Sequence, residues 1–265
     1  MSRVSTDYVR HKGQDGRYDQ EYYSFGEGGN WGSPIKDATF DRMNFTDVAR
    51  VVAAPLAEQG FVAARDPAKT RLLIMLYWGT TTVPDPPRES PLFSEYTNLM
   101  DEYRILLGEH SPEAESVRES AMSVLGMYIH DRDLRDFRNA GLIGYDVTGL
   151  IGTDYGNDVR SRAIGWKQRD LSDEIEENRY FVVLMAYDFQ LMWKQKKHKL
   201  LWETRFSINE PRNAFDKALP FIAEKASRYF GSPSNGLKRD EVGPGRVELG
   251  DPTIIEFLTG DRKPK

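Results

Sequence analysis

The run Leu72-Leu73-Ile74-Met75-Leu76-Tyr77-Trp78 is apolar at each of its positions. Successive side chains of a strand point to opposite faces, so a strand with one wet face alternates polar and apolar residues. A run with no polar position therefore predicts a central strand covered on both faces. Tyr180 to Phe189 repeats the pattern, interrupted only by Asp188. Leu200, Trp202, Thr204, Phe206 and Ile208 alternate with Leu201, Glu203, Arg205 and Ser207, which is the period of a half-wet strand. The basic cluster Lys194, Lys196, Lys197, His198 and Lys199 joins these last two runs, and reads as the solvated tip of a long antiparallel hairpin.

Around these strands the period changes to that of helices. Phe45, Val48, Val51, Val52 and Leu56 recur at three-and-four spacing, with Asn44 as N-cap and Gly60 as stop. Pro55 is expected to bend or shorten the last turn, because it removes a backbone donor. Ser90-Pro91 and Ser111-Pro112 each combine a capping residue with a proline at the first helical position, predicting two adjacent helices in a hairpin. Asn213 is expected to cap a helix with the face Phe215, Leu219, Ile222, Ala226 and Tyr229. Glu21 to Phe25 reads as a short strand stopped by the glycine cluster at Gly26, Gly28 and Gly29.

These elements predict an α+β fold: a mixed, largely antiparallel central sheet with helices mainly on one face and an inserted helical hairpin. The expected organisation is a polar N-terminal tether over 1–20 and a single α/β domain over 21–231, followed by a Gly/Pro-rich tail over 232–265. The domain carries a helical insertion at about 91–140 and a glycine-rich segment at 141–156.

A chain of 265 residues with 39% hydrophobic content can bury one large core. Lys+Arg 36 against Asp+Glu 41 leaves a net charge of −5, the balance of an ordinary soluble surface, and argues against nucleic acid as a partner. No stretch approaches the roughly 18 apolar residues of a membrane span, so no transmembrane segment is expected in the given chain. The first residues have no apolar leader-like core. Cysteine is absent, which excludes disulfides, cysteine nucleophiles and thiolate metal sites. A cysteine-free composition suits an exported protein, so the expected location is periplasmic or the cell envelope after removal of a leader, with the cytoplasm as the alternative.

The motifs point away from catalysis. The near-repeat Gly141-Leu142-Ile143-Gly144 and Gly149-Leu150-Ile151-Gly152 has neither the dinucleotide-binding nor the P-loop spacing. His11, His110, His130 and His198 are scattered, and Ser234 lacks the flanking glycines of a nucleophile elbow. No catalytic residue, metal site or cofactor is expected. Trp31, Tyr77, Trp78 and Trp166 fall at strand or loop ends and are expected to form an aromatic binding surface. Asp188 breaks a buried run, and a buried carboxylate needs a partner, so an ion pair with Arg205 on the neighbouring strand is expected.

The helix ending Gln59-Gly60-Phe61, the Arg71 to Trp78 strand, Leu201-Trp202-Glu203 and the closing Phe230-Gly231 together resemble bacterial cell-envelope proteins of the lipoprotein type, built on a domain of unknown function. The helical insertion and the lack of a lipidated N-terminal cysteine depart from that pattern. The resemblance implies an exported α/β domain and transfers no catalytic residue. Two functions follow as expectations: a non-catalytic envelope domain that binds a protein or surface polymer, or a hydrolase using Asp146, Asp154 or Asp158 beside the glycine-rich loop.

Overall fold

The structure is a computed structural model and describes residues 1–32, 36–83, 86–145, 173–211 and 213–240. Six strands, β1 (Ser2–Val4), β2 (Glu21–Trp31), β3 (Phe61–Ala63), β4 (Leu72–Thr80), β5 (Arg179–Asp188) and β6 (Leu200–Asn209), form one sheet in the order β1-β6-β5-β4-β2-β3. The two wholly apolar runs, β4 and β5, are its interior neighbours and pair antiparallel from Leu72↔Asp188 to Thr80↔Tyr180. β2 pairs parallel with β4 and β3, while β6 pairs antiparallel with β5 and β1. The fold is therefore α+β with a mixed sheet, as the patterning predicts.

One face of the sheet carries the main core. Leu72, Ile74, Leu76 and Trp78 alternate onto it with Tyr180, Val182, Leu184 and Ala186, and α2 (Phe45–Glu58) and α6 (Phe215–Ser227) close over them. The α2 stripe packs there because Asn44 and Asp47 form a reciprocal capping box, fixing where the helix begins and which residues face inward. Pro55 does not shorten α2, which continues to Glu58; Pro55 and Leu56 are both buried, and that packing holds the last turn in place. The N-cap of α6 is Ala214, one residue later than expected, and Asn213 instead donates from Nδ2 to the Asn209 carbonyl at 2.7 Å.

The other face is covered over part of its area. Phe181 and Val183 are buried there under Ala140 and Ile143 of α4 (Ala114–Ile143), Tyr145 and Ile175. Leu73, Met75, Tyr77 and Met185 remain half-buried. α4 pairs with α3 (Pro91–Gly108) as the inserted hairpin, and its Asn139 anchors it to the body. That amide is fully buried and donates to the carbonyls of Thr82 at 2.8 Å and Ile175 at 3.0 Å. Two further helices are short: α1 (Ala38–Asp41), and α5 (Phe189–Gln195) between β5 and β6. The β5–β6 connection is thus a helical turn followed by the basic residues, in place of a simple hairpin tip.

Two expectations are corrected by packing between strands. The glycine cluster does not stop β2, which runs to Trp31 with a register shift between Glu27 and Gly29. A Cβ on Gly26 would lie 2.4 Å from Met75 Sδ, and one on Gly28 would lie 2.5 Å from the Tyr77 ring. The glycines let those side chains lie across the β2 backbone, so their role is close approach within the sheet.

Nor is the N-terminal segment a tether. β1 extends the sheet at β6, and Ser2 Oγ lies 2.9 Å from Thr204 Oγ1. Further along, the Arg10 guanidinium is sandwiched between the Tyr18 and Phe61 rings at 3.9 and 4.1 Å from their centroids. Polar residues here are buried because each meets a distant partner, which composition does not reveal.

Candidate functional site

β6 lies inside the sheet only along half its length. β1 covers Trp202, Glu203 and Thr204, and the Arg205 N–H donates to the Met1 carbonyl at 2.8 Å. Arg205 thus turns its backbone groups outward, and by the two-residue alternation of an antiparallel ladder Ser207 and Asn209 do the same. The Asn209 carbonyl is taken by Asn213. Among the described residues nothing pairs with the outward N–H and C=O of Ser207 or the outward N–H of Asn209.

This edge forms the bottom of an open groove of about 1110 Å³. On the core side its wall is α6 with Phe221, Ile222, Lys225 and the adjoining Tyr229; on the opposite side it is Ile143, Tyr145 and the stretch from Leu237 to Asp240. The walls are amphipathic. Glu174 accepts from the Tyr145 hydroxyl and pairs with Arg239 Nε at 2.9 Å, and Glu177 pairs with Arg179 at 3.6 Å and accepts from Asn209 Nδ2 at 2.5 Å. These carboxylates are neutralised and hydrogen-bonded, which suits a structural wall better than proton transfer. Lys225 and Lys238 also line the groove, and among the described residues neither has a carboxylate partner.

Of the residues expected to bind, three are described and they do not converge. Trp78 is 1% exposed and sits in the main core, stacked near Phe45, so it is a packing residue. Tyr77 points to the opposite face, as consecutive strand residues must, and lies over Gly28. Trp31, at the end of β2, is 40% exposed with the Arg138 guanidinium 5.4 Å above its ring. Trp166 lies outside the described residues, as do Asp146, Asp154, Asp158 and all of the glycine-rich segment beyond Tyr145.

The expected Asp188–Arg205 ion pair does not form. Asp188 ends β5 opposite Leu72 and accepts the Leu191 N–H at 2.9 Å as N-cap of α5, whereas Arg205 lies opposite Val183 and pairs with Glu203 at 3.3 Å. Its carboxylate is satisfied by a helix start, so no buried counter-ion is needed.

Burial, and then the Glu176 charge, push Asp136 on α4 up to about 6. A carboxyl whose folded value lies above its unfolded one favours folding below the unfolded value, and that contribution is lost as pH rises through about 6. Asp136→Asn is therefore expected to raise stability by about 1–2 kcal/mol near pH 8 and to be close to neutral near pH 4. Thermal melts of both proteins at the two pH values check this, and a variant that is less stable near pH 8 contradicts it.

The groove was not legible in sequence, since whether β6 is an edge depends on which strands flank it. The one local signal was the wet alternation of Leu200 to Ile208 beside the unbroken apolar run of β5. No protein-family model matches the chain, and no curated protein matches its sequence. Among solved structures, it is similar to the crystal structure of a PDZ domain protein from Parabacteroides distasonis ATCC 8503, with a TM-score of 0.35 and 10% identity. The match covers 86% of this chain and 34% of that one, so the chain spans about a third of that protein's length.

Proposed function

We propose that this chain is a non-catalytic binding domain that takes an extended peptide segment as an added strand along the free edge of β6. The observation that supports the reading is the outward backbone of Ser207 and Asn209, recessed between α6 and the Leu237–Asp240 wall. An unpaired sheet edge offers main-chain hydrogen bonds to any strand, and flanking pockets select alternate side chains. Phe221, Ile222 and Tyr229 supply apolar contacts, while Lys225 and Lys238 favour a segment that carries carboxylates. The partner in this reading is an envelope protein or surface-exposed peptide, and the envelope location is supported by the cysteine-free composition. Among the described residues no helix is long and apolar enough to cross a membrane.

Selection of random linear peptides against the full chain tests the proposal. Enriched peptides are expected to alternate apolar and acidic residues and to shift the backbone amide resonances of Phe206 to Asn209. Ser207→Pro removes the outward donor on an edge where proline is tolerated, so it is expected to weaken binding about tenfold or more while preserving the fold. Peptides that map elsewhere, or bind Ser207→Pro equally well, would refute the reading.

A further inference from the structure

The start of β6 is unlike its groove end. There, two segments meet: 65–71, which leads into β4, and 188–199, which links β5 to β6. The Phe189 N–H donates to the Arg71 carbonyl at 2.9 Å, and Gln190 Nε2 donates to the carbonyls of Pro67 and Thr70 at 2.8 and 2.7 Å. Together they bring seven cations, Arg65, Lys69, Arg71, Lys194, Lys196, Lys197 and Lys199, against two carboxylates, Asp66 and Asp188. Both carboxylates accept backbone N–H groups, from Ala68 and Leu191. Lys199 pairs with Asp7 at 2.9 Å and Arg71 lies 3.8 Å from Glu21. The other five are exposed and have no ion pair among the described residues. These two segments carry a net positive charge although the whole chain carries −5.

An exposed aromatic precedes the lysine run in the chain. Trp193 of α5 is 47% exposed and stacks on Phe189 with ring centroids 6.0 Å apart. Exposed tryptophan flanked by lysines, on a turn at the end of a sheet, is the chemistry of the lipid–water boundary, where the indole ring sits among headgroups and the ammonium groups meet lipid phosphates.

We infer that this end of the sheet docks on an anionic phospholipid surface, with Trp193 entering the headgroup layer and Lys194, Lys196 and Lys197 around it. A membrane fits better than a nucleic acid, because the exposed indole of Trp193 beside the lysines suits a headgroup layer, whereas a long polyanion needs a longer positive track than this one end supplies. Each cation held near such a surface contributes roughly fivefold in partitioning, and the attraction falls off within a Debye length. The groove lies at the opposite end of β6, roughly 20–30 Å away along the strand, so a docked molecule keeps it facing away from the lipid. This inference stands whether or not the groove takes a peptide.

The test is co-sedimentation of the full chain with vesicles of phosphatidylcholine alone and of phosphatidylcholine mixed with phosphatidylglycerol. Binding is expected to the mixed vesicles only and to be lost in high salt. A Lys194→Glu, Lys196→Glu, Lys197→Glu variant, altered only at exposed side chains, is expected to lose at least tenfold, and Trp193→Ala several-fold, with circular dichroism spectra unchanged. Equal binding to both vesicle types, no binding to either, or full retention in the triple variant overturns the inference. So does a poly-glutamate peptide or an oligonucleotide that binds this end while the mixed vesicles do not.

Discussion

Trp202→Ala is expected to destabilise the domain by about 3–5 kcal/mol, a large fraction of the roughly 5–15 kcal/mol that holds a domain folded. Trp202 is 1% exposed and lies opposite Ala186 on one side and Val4 on the other. Its ring packs against Phe61, with centroids 5.6 Å apart, and stacks on Phe230 at 6.3 Å. It therefore joins the sheet, the residues following α2 and those following α6 in one contact, and a close-packed core around it collapses only partly into the cavity. Denaturant titration measures the loss. Trp193→Ala, at an exposed position, serves as control and is expected to stay within about 0.5 kcal/mol of the parent. A Trp202 variant as stable as that control would mean that the indole is not packed against Phe61 and Phe230 in the core.

The second large effect concerns a buried charge. Glu21 is 5% exposed, accepts the Tyr8 hydroxyl at 2.9 Å and faces Arg10 Nε at 3.5 Å. The Arg10 side chain is 2% exposed, and Nη1 donates to the Phe230 carbonyl at 3.3 Å. Burial, and then the Glu21 charge, push the Tyr8 phenol far above its ordinary value, so it remains a neutral donor to Glu21. Glu21→Ala leaves the guanidinium in the interior without its counter-charge, and the expected cost is about 3–5 kcal/mol. Arg10→Met combined with Glu21→Ala removes both charges, and the pair is expected to be more stable than Glu21→Ala alone, because an apolar replacement of a whole buried pair costs little. A double-mutant cycle gives the coupling directly; strictly additive losses would show that the two side chains do not interact.

Both experiments bear on how far the sequence could be read. Tyr8 and Arg10 belong to a segment whose polarity resembles that of a frayed end, because a buried salt bridge and an exposed one have the same composition. What separates them is whether Tyr18 and Phe61 enclose the guanidinium, and those rings come from two different parts of the chain. The glycines of β2 posed the same difficulty. Alone they break strands, but here Met75 and Tyr77 of the adjacent strand occupy the space that Cβ atoms would need. Asp188 reads as one half of a buried ion pair with Arg205 because nothing in the apolar run marks that β5 ends at Asp188 itself, where the carboxylate caps a helix.

The candidate site was less legible than the fold. Trp78 and Tyr77 are neighbours in sequence and lie on opposite faces of the sheet, so no aromatic patch could arise from them. The groove depends on β1 covering only Trp202 to Thr204 of β6 and on α6 flanking the stretch beyond them, and neither follows from the residues of β6. The basic end was visible as a lysine run, but its union with Arg65, Lys69 and Arg71 came only when β4 and β5 were paired.

By itself the sequence determined which segments are interior strands and which helices carry a core stripe, because hydrophobic periodicity is a local property tied directly to burial. Only the tertiary structure decided which strand is left with an open edge, which charges are buried in pairs and which cations gather at one end. Those depend on contacts between residues far apart in the chain, and the free energy of such contacts is set by the neighbours that folding brings together.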